Sequence, residues 1–271
     1  MTQKVSPEYI QTSLAASLTL GFQSGSFHRN AKLKGLNLLL HYEEGCLGKC
    51  HFCGLSRSRR QGPREKTFIR VDWPLYSLED IIQRTKSKDQ LHRVCISMIT
   101  HPKALKDTLY VIKRLREETD LYISVLISPT LIQQEDSLIA MKKAGADRVG
   151  VAIDAATLQL FDQLRGKGVG GPHQWGHYWK VVQMATSVFG RFYVGIHLIV
   201  GLGETEKEMV EAIQKGQDMG AQTHLFSFFP EKGSPMEAHP PPSLGQYRRI
   251  QLARWMINEG MGLINQMKFN E

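Results

Sequence analysis

The sequence predicts an α/β protein folded as a partial (β/α)6 TIM-like barrel with helical extensions at both ends. Six apolar runs alternate with segments whose apolar residues recur three and four positions apart, which is typical of parallel strands alternating with amphipathic helices. The chain has 271 residues, of which 42% are hydrophobic and 22% charged. This length and composition suit a single domain with a sizeable core.

The N-terminal extension, residues 1–30, is predicted to be a helix followed by a loop. Apolar residues repeat at helical spacing between positions 6 and 20. Ser6 followed by Pro7 is typical of a helix cap and a first helical position. A Gly/Ser/His loop then leads into the barrel.

The barrel is predicted to cover residues 31–235. Its strands are expected at residues 36–40, 93–99, 121–127, 148–153, 192–200 and 223–229. Its helices are expected at residues 105–118, 131–144, 174–188 and 206–219. In barrels of this kind the functional side chains lie at the carboxyl ends of the strands.

Residues 236–271 form the predicted C-terminal helical extension. Three consecutive prolines at positions 240–242 interrupt the chain before a helix expected over residues 244–260. Neither a second domain nor an internal repeat is indicated.

Hydropathy and cysteine usage predict a cytoplasmic protein with no membrane contact. No apolar stretch approaches the roughly 20 residues of a membrane helix. The first 30 residues lack the basic start and apolar core of a signal peptide. The chain has only four cysteines, which agrees with a reducing compartment.

The formal net charge of +8 indicates either an acidic partner or a generally basic surface. The densest basic run comprises Arg57, Arg59, Arg60, Arg64, Lys66 and Arg70. Few aromatic residues interleave with this run, so docking of an acidic protein is favoured and nucleic-acid binding is not.

Three of the four cysteines, Cys46, Cys50 and Cys53, lie within eight residues directly after the first apolar run. Thiolates at this spacing can converge on one metal centre because a short loop lets them point into the same pocket. Alternatively, the cysteines are simply buried, or two of them form a disulfide. Structural zinc normally takes four protein ligands, and no second ligand pair follows. An iron–sulfur cluster with one open iron fits the pattern better.

The spacing C-x-x-x-C-x-aromatic-C, with Phe52 before the last cysteine, resembles the signature of radical S-adenosylmethionine (SAM) enzymes. The resemblance implies a partial barrel of the radical SAM type and a 4Fe-4S cluster on the three cysteines, with SAM chelated to the fourth iron. It also implies that one electron cleaves SAM to methionine and a 5′-deoxyadenosyl radical, which abstracts hydrogen.

The same resemblance implies SAM contacts at the carboxyl ends of later strands. Asp154 matches an acidic residue that binds the ribose in biotin and lipoyl synthases, and the alternative is that Asp154 caps a helix starting at Ala155. Residues 201–205 match the G-x-G-E-T sequence where those enzymes pack adenine, and here Glu204 and Thr205 can also cap the next helix. The predicted SAM-binding residues are Phe52, Ser97, Met98, Asp154, Arg165, Ile199, Gly201 and Glu204.

A second set of residues is predicted to contact the substrate or a partner. The turn at residues 232–235 is similar to one that closes the substrate side in biotin synthase, although a solvated turn also accounts for its charges. His197, on a strand, is either a core histidine or a ligand. The set comprises His173, His197, Glu231, Lys232, Arg57, Arg59 and Arg60.

Within the biotin and lipoyl synthase branch, the chain most resembles one component of the two-protein (split) lipoyl synthases of lipoate biosynthesis. Cys95 matches one auxiliary-cluster ligand of biotin synthase, whereas Ser124 and Gly195 stand at two others. The extra N-terminal cysteine triplet of common lipoyl synthases is missing. The resemblance implies a sulfurtransferase that inserts sulfur into an octanoyl-lysine of an acidic lipoyl carrier domain. Its implied partners are a second radical SAM protein and an electron donor such as ferredoxin or flavodoxin.

Alternatives to this hypothesis remain open at the sequence level. An auxiliary iron–sulfur cluster would combine Cys95 with His197, His224 or cysteines of a partner, unless Cys95 is a plain buried thiol. A radical SAM enzyme without an auxiliary cluster would catalyse a rearrangement, cyclisation or methyl transfer on a small molecule. A noncatalytic iron–sulfur scaffold is the alternative outside that class.

Overall fold

The computed structural model describes residues 3–60 and 71–269 and contains one mixed sheet of eight strands. The strands are β1 (Tyr9–Thr12), β2 (Gly35–Leu40), β3 (Leu75–Ser77), β4 (Arg93–Ser97), β5 (Tyr122–Ile127), β6 (Arg148–Asp154), β7 (Val194–Val200) and β8 (Ala221–Ser227). The α-helices are α1 (Leu14–Thr19), α2 (Leu78–Thr85), α3 (Ala104–Glu118), α4 (Glu135–Ala144), α5 (Leu158–Leu164), α6 (Trp175–Phe189), α7 (Glu206–Asp218) and α8 (Leu244–Asn258).

The strand order is β3-β1-β2-β4-β5-β6-β7-β8. The six strands β2 and β4 to β8 are parallel, and each is the strand predicted from an apolar run. Because β3 and β8 are the two edges, the sheet does not close. The predicted partial (β/α)6 barrel is therefore confirmed, with two additional antiparallel strands at one edge.

The prediction of one helix through residues 6–20 is wrong for its first half. Residues 9–12 form β1, in which Ile10 and Thr12 are buried and their neighbours are partly exposed, a strand period of two. Pairing with β2 and β3 satisfies the backbone groups of β1 and outweighs the local helical spacing. The helix begins only at Leu14, where the Ser13 hydroxyl accepts from the Ala16 amide at 3.2 Å.

Other helix boundaries differ from prediction where a polar residue or a turn decides them. Residues 129–131 form a 3-10 turn, so α4 begins four residues later than predicted, at Glu135. Helices α2 and α5 were not predicted from the sequence. The alternative role of Asp154 as a helix cap is wrong, because Thr157 caps α5 by accepting from the Leu160 amide.

The two faces of the sheet differ in chemistry. Ile96, Val125 and Ile196 face the helices and are fully buried. A Cβ on Gly216 of α7 would stand 2.4 Å from Ile196 Cδ1, which shows how closely α7 lies on the sheet. Alternate residues point to the other side, here called the concave face, and many of them are polar.

The free edge of β8 is covered by α8. The Tyr247 hydroxyl donates to the Leu225 carbonyl at 3.1 Å, and Arg254 Nη1 donates to the Thr223 carbonyl at 3.1 Å. These bonds occupy strand acceptors that would otherwise be open to another chain. Among the described residues, every helix is too short or too polar to cross a membrane.

Candidate functional site

The cysteine-bearing loop follows β2 and lies across the carboxyl ends of the barrel strands. The Leu47 amide donates to the Thr100 carbonyl beyond β4 at 2.8 Å, and the His51 amide donates to the Leu164 carbonyl at the end of α5 at 2.8 Å. On the β8 side, the Met236 amide donates to the His51 carbonyl at 3.3 Å. Backbone hydrogen bonds therefore fix the loop at the end of the barrel where the sequence predicts the site.

The three loop cysteines are free thiols and do not form a disulfide, so that alternative is wrong. Two of their sulfurs face the same small space. A Cβ on Gly48 would stand 3.3 Å from Cys46 Sγ and 3.8 Å from Cys50 Sγ. A side chain at position 48 would crowd these sulfurs, so the close approach of the loop requires glycine here.

The electrostatics of the loop favour a bound metal. Burial raises the pKa of Cys50 to about 11 and also raises the pKa of Cys53. A thiolate at either position therefore needs a nearby cation to stay ionised. Backbone amides already point at sulfur, from Gly48 to Cys46 Sγ at 3.3 Å and from Leu55 to Cys53 Sγ at 3.4 Å. Such donors are a usual feature of iron–sulfur sites.

In residues 3–60 and 71–269, no three His, Cys, Asp or Glu side chains are grouped to hold a single metal ion, and this includes the three loop cysteines. A 4Fe-4S cluster does not need such a grouping, because each of its cysteines binds a different iron. The two sulfurs beside Gly48 and the amides directed at sulfur therefore fit a cluster better than a mononuclear ion.

Beneath the loop lies a buried ion pair between Asp154 and Arg165. Arg165 Nη1 donates to Asp154 Oδ2 at 2.5 Å and to the Ala152 carbonyl at 2.6 Å. Burial raises the pKa of Asp154, and the guanidinium opposes that rise. Asp154 has a left-handed backbone (φ 65°) next to a register shift in β6, which turns its carboxylate towards Arg165.

Arg165 is also surrounded by aromatic rings. Its guanidinium carbon lies 4.9 Å from the ring centroid of Tyr178 and 5.9 Å from that of Phe52, the aromatic residue of the cysteine motif. Its charge acts on the buried thiols of Cys50 and Cys53. A fixed cation close to the cysteine sulfurs can offset the negative charge of thiolates.

His173 joins this network from the segment before α6. Its Nδ1 lies 2.8 Å from both the Tyr178 and the Thr130 hydroxyl oxygens. Arg165 Nη2 donates to the Tyr178 hydroxyl at 3.2 Å, which leaves that hydroxyl free to donate to Nδ1. Its Nε2 lies 3.0 Å from where a Cβ on Gly48 would stand. The Tyr178 and Thr130 hydroxyls thus hold the His173 ring beside the cysteine loop.

The end of β4 contributes Ser97 and Met98, both buried beside the cysteine loop. The Met98 amide donates to the Leu126 carbonyl at 2.9 Å, so this main chain is held by the next strand. Cys95 lies two residues before Ser97 on the concave face. Burial raises the pKa of its thiol, and hydrogen bonds with Ser124 and Ser97 partly offset that rise.

The loop between β7 and α7 is held by Glu204, which is 6% exposed. The carboxylate accepts from the Gly201 amide at 2.7 Å and the Leu202 amide at 2.9 Å. Gly201 has a φ of 99°, and its Cβ would stand 2.5 Å from Pro242 Cδ, so the turn requires glycine. Thr205 caps α7 as predicted, in a capping box with Glu208, whereas Glu204 does not. Ile199, near the end of β7, is partly buried on the concave face.

His197 lies on the concave face, where its ring centroid is 5.5 Å from that of His224 and 4.9 Å from that of Phe226. Burial, assisted by His224, lowers the pKa of His197 to about 3. The imidazole is therefore neutral, consistent with either of its predicted roles.

The predicted partner-contacting residues divide between surface and interior. Arg57, Arg60 and Lys232 are exposed. Arg59 is only 8% exposed, and it donates to the Lys232 carbonyl at 2.8 Å and to the Gly54 carbonyl at 2.9 Å. The prediction that Arg59 lies on a docking face is therefore wrong. Glu231 is 6% exposed, which excludes a solvated turn for this residue. Arg64, Lys66 and Arg70 lie outside the described residues.

Three residues that organise the site were not predicted from the sequence. Tyr178 and Thr130 meet His173 only through the packing of α6 against the segment after β5, and no local pattern marks them. Gly48 was identifiable, because a glycine between two cysteines lets the backbone approach neighbouring groups closely.

Comparison with known proteins agrees with this geometry. The sequence-family model of the Radical SAM superfamily matches residues 42–216 of this chain. No curated protein matches the chain.

Solved structures with a similar fold include methylornithine synthase (PylB), at a TM-score of 0.64 and 15% identity over 90% of this chain and 66% of that one. The FeFe-hydrogenase maturase HydG from Carboxydothermus hydrogenoformans has a TM-score of 0.59 and 15% identity, over 82% of this chain and 51% of that one. A radical SAM methyltransferase from Sphaerobacter thermophilus has a TM-score of 0.58 and 13% identity, over 86% of this chain and 66% of that one. The chain thus spans between half and two thirds of the length of these proteins, and at such identities the likeness concerns the fold.

Proposed function

Because the chain belongs to the radical SAM superfamily, we propose that Cys46, Cys50 and Cys53 hold its 4Fe-4S cluster, with SAM bound beside it. When bound and reduced, the cluster supplies the electron that cleaves SAM to the 5′-deoxyadenosyl radical. The observation that carries the assignment is the position of two cysteine sulfurs side by side at Gly48, with backbone amides directed at the sulfurs of Cys46 and Cys53. The buried loop would exclude water from a reactive radical.

The remaining residues are proposed to hold SAM in place. Asp154 would bind the ribose while Arg165 fixes its carboxylate, and Ser97 and Met98 would present main-chain groups to the methionyl end. Ile199 and Gly201 would contact the adenine, with Glu204 setting the shape of their loop rather than touching SAM, since its oxygens already bind two amides. Phe52 would pack between the loop and Arg165.

For the substrate, we propose sulfur insertion into an octanoyl-lysine of a lipoyl carrier domain, together with a second radical SAM protein. The motifs at residues 201–205 and 232–235 support this branch of the family, as does the basic net charge, which would attract an acidic carrier domain. Exposed Arg57, Arg60 and Lys232, at the edge of the cysteine loop, would meet the carrier domain or an acidic electron donor such as ferredoxin or flavodoxin.

A sulfur-donating auxiliary cluster would need ligands from the partner. Cys95 is the only cysteine outside the loop, and His197 and His224 form no metal-binding group with it among the residues described. In this proposal Cys95 contributes at most one ligand, and the second protein supplies the rest.

One observation favours a second candidate, radical chemistry on a small polar molecule. The concave face carries the polar side chains of Asn37, Ser124, His197 and His224 among its apolar ones, and these polar groups suit a polar molecule better than an octanoyl chain. A rearrangement, cyclisation or methyl transfer would use such a surface without an auxiliary cluster.

The test is anaerobic reconstitution followed by turnover. Iron, sulfide and Mössbauer spectra are measured on the wild type and on Cys95→Ala, and 5′-deoxyadenosine is measured with and without an octanoylated carrier peptide and the second protein. Sulfur insertion predicts peptide-dependent 5′-deoxyadenosine and a thiolated peptide by mass spectrometry. If SAM is cleaved but the peptide neither stimulates cleavage nor gains sulfur, the lipoyl assignment fails and the small-molecule candidate stands.

A further inference from the structure

The lower half of the concave face, towards the amino ends of the strands, is basic. Arg93 and Arg148 are the first residues of β4 and β6 and point to this face, as Tyr122 does between them. A Cβ on Gly35 of β2 would stand 2.8 Å from the Arg93 side chain, which places that side chain along the sheet. The Arg148 guanidinium lies 5.3 Å from the ring centroid of Tyr193.

Arg93 and Arg148 share this face with His224 of β8, because the strand register places all three residues on the same side of the sheet. A third guanidinium group, that of Arg254, donates to the carbonyl of Thr223, the residue before His224. Partial burial of the His224 ring lowers its pKa, and the positive charges of Arg254, Arg93 and Arg148 lower it further. Three positively charged side chains therefore act on the same part of the concave face.

None of these groups forms an ion pair in the described part of the chain. Arg93, Arg148 and Arg254 have no carboxylate of the described residues within ion-pair distance. On the concave face of β2 and β4 to β8 the one acidic side chain is Asp154, which is at the opposite end and bound to Arg165. Arg254 Nε is buried without a hydrogen-bond partner from the described residues.

The surface is open to solvent. Arg93, Arg148 and His224 are exposed, and Tyr122 is 66% exposed. Converging guanidinium groups repel one another, and a bound oxyanion would relieve that repulsion through charge-assisted, bidentate hydrogen bonds.

We propose that Arg93, Arg148, Arg254 and His224 form a binding site for the oxyanion group of a small molecule, either a carboxylate or a phosphate. The ligand would lie in the concavity with its anionic group at the lower end. The cysteine loop lies at the other end of the strands, so anion binding neither requires nor excludes sulfur insertion.

Calorimetric titration of the reconstituted protein with inorganic phosphate and, separately, with octanoate tests the site at fixed ionic strength. The variants are Arg93→Gln/Arg148→Gln and the single charge reversal Arg148→Glu, all at exposed positions. Arg248→Gln is the matched control, because Arg248 is exposed on α8 and hydrogen-bonds only to Gln251 in the described structure. Circular dichroism and iron content establish that each variant is folded and loaded.

The wild type is expected to bind one equivalent of at least one anion. Each site variant should weaken that binding at least about tenfold, whereas the control stays within about twofold. Stronger binding of phosphate identifies a phosphate-bearing ligand, and stronger binding of octanoate identifies a carboxylate. Non-saturable binding of both anions to the wild type, or wild-type affinity in both site variants, overturns the proposal.

Discussion

Three cysteines and one glycine define the candidate metal centre at the level of single residues. Burial raises the pKa of Cys50 to about 11 and so disfavours a bare thiolate. The same burial protects a thiolate that is bound to iron. The loop therefore combines a poor environment for free thiolates with a good one for a cluster.

Replacement of Cys50 by alanine removes one cluster ligand while leaving the backbone contacts of the loop intact. We expect iron content to fall from about four atoms per chain to near zero after reconstitution, with no SAM cleavage and an unchanged far-UV circular dichroism spectrum. Cys95→Ala is the matched control and should keep this cluster. Full activity in Cys50→Ala would contradict the assignment.

The ion pair between Asp154 and Arg165 makes a separate prediction. Arg165→Met should lower the free energy of unfolding by about 3–5 kcal/mol, because Asp154 is left buried without its partner. Asp154→Asn in the same chain should recover much of the loss, since no charge is then buried. Urea denaturation of the two variants measures this, and equal stability of the single and double variants would show that the pair is not coupled.

Among the structural elements, the loop between β7 and α7 contains two adjacent residues with different functions. Glu204 holds the loop amides, whereas Thr205 caps the helix and pairs with Glu208. The loop shape and the stability of the helix therefore depend on different side chains.

Substitutions at these two positions should consequently have different effects. Thr205→Ala should lower the free energy of unfolding by about 1 kcal/mol through loss of the cap, with SAM affinity unchanged. Glu204→Ala should weaken SAM binding at least about tenfold while the cluster remains, because the loop amides lose their acceptor. Equilibrium dialysis with SAM and urea denaturation measure both, and equal SAM affinities would argue against the loop as part of the SAM site.

For the whole molecule, buried neutral histidines link stability to pH. Burial lowers the pKa of His197 to about 3 from its ordinary value of 6.5, and it lowers the pKa of His173 to about 3 as well. Below pH 6.5 the unfolded chain binds protons that the folded chain does not, so stability is lost as the pH falls from 6.5 towards 3.

His197→Gln should therefore lose less stability than the wild type between pH 7 and pH 5. The melting temperature of each protein at the two pH values is the measurement, and the wild type should show the larger decrease. A parallel decrease in the two proteins would mean that His197 is not buried in neutral form.

Local patterns in the sequence determined the six parallel strands, the helices α3, α4, α6, α7 and α8, and the cysteine loop. Each depends on residues close together in the chain: an apolar run, a repeat of three to four positions, or three thiols within eight residues. The cap at Thr205 was predictable for the same reason.

The tertiary structure alone decided which charged residues lie on the surface and which are buried. Arg59 is buried because its acceptors include the Lys232 carbonyl, 173 positions away. His173 depends on Thr130, 43 positions away. Residues 9–12 became a strand because β2 and β3 were available to pair with them. The basic lower half of the concave face combines residues of β4, β6 and β8, which the strand register places on one side of the sheet. Contacts between distant residues depend on the packing of the whole chain and not on local spacing.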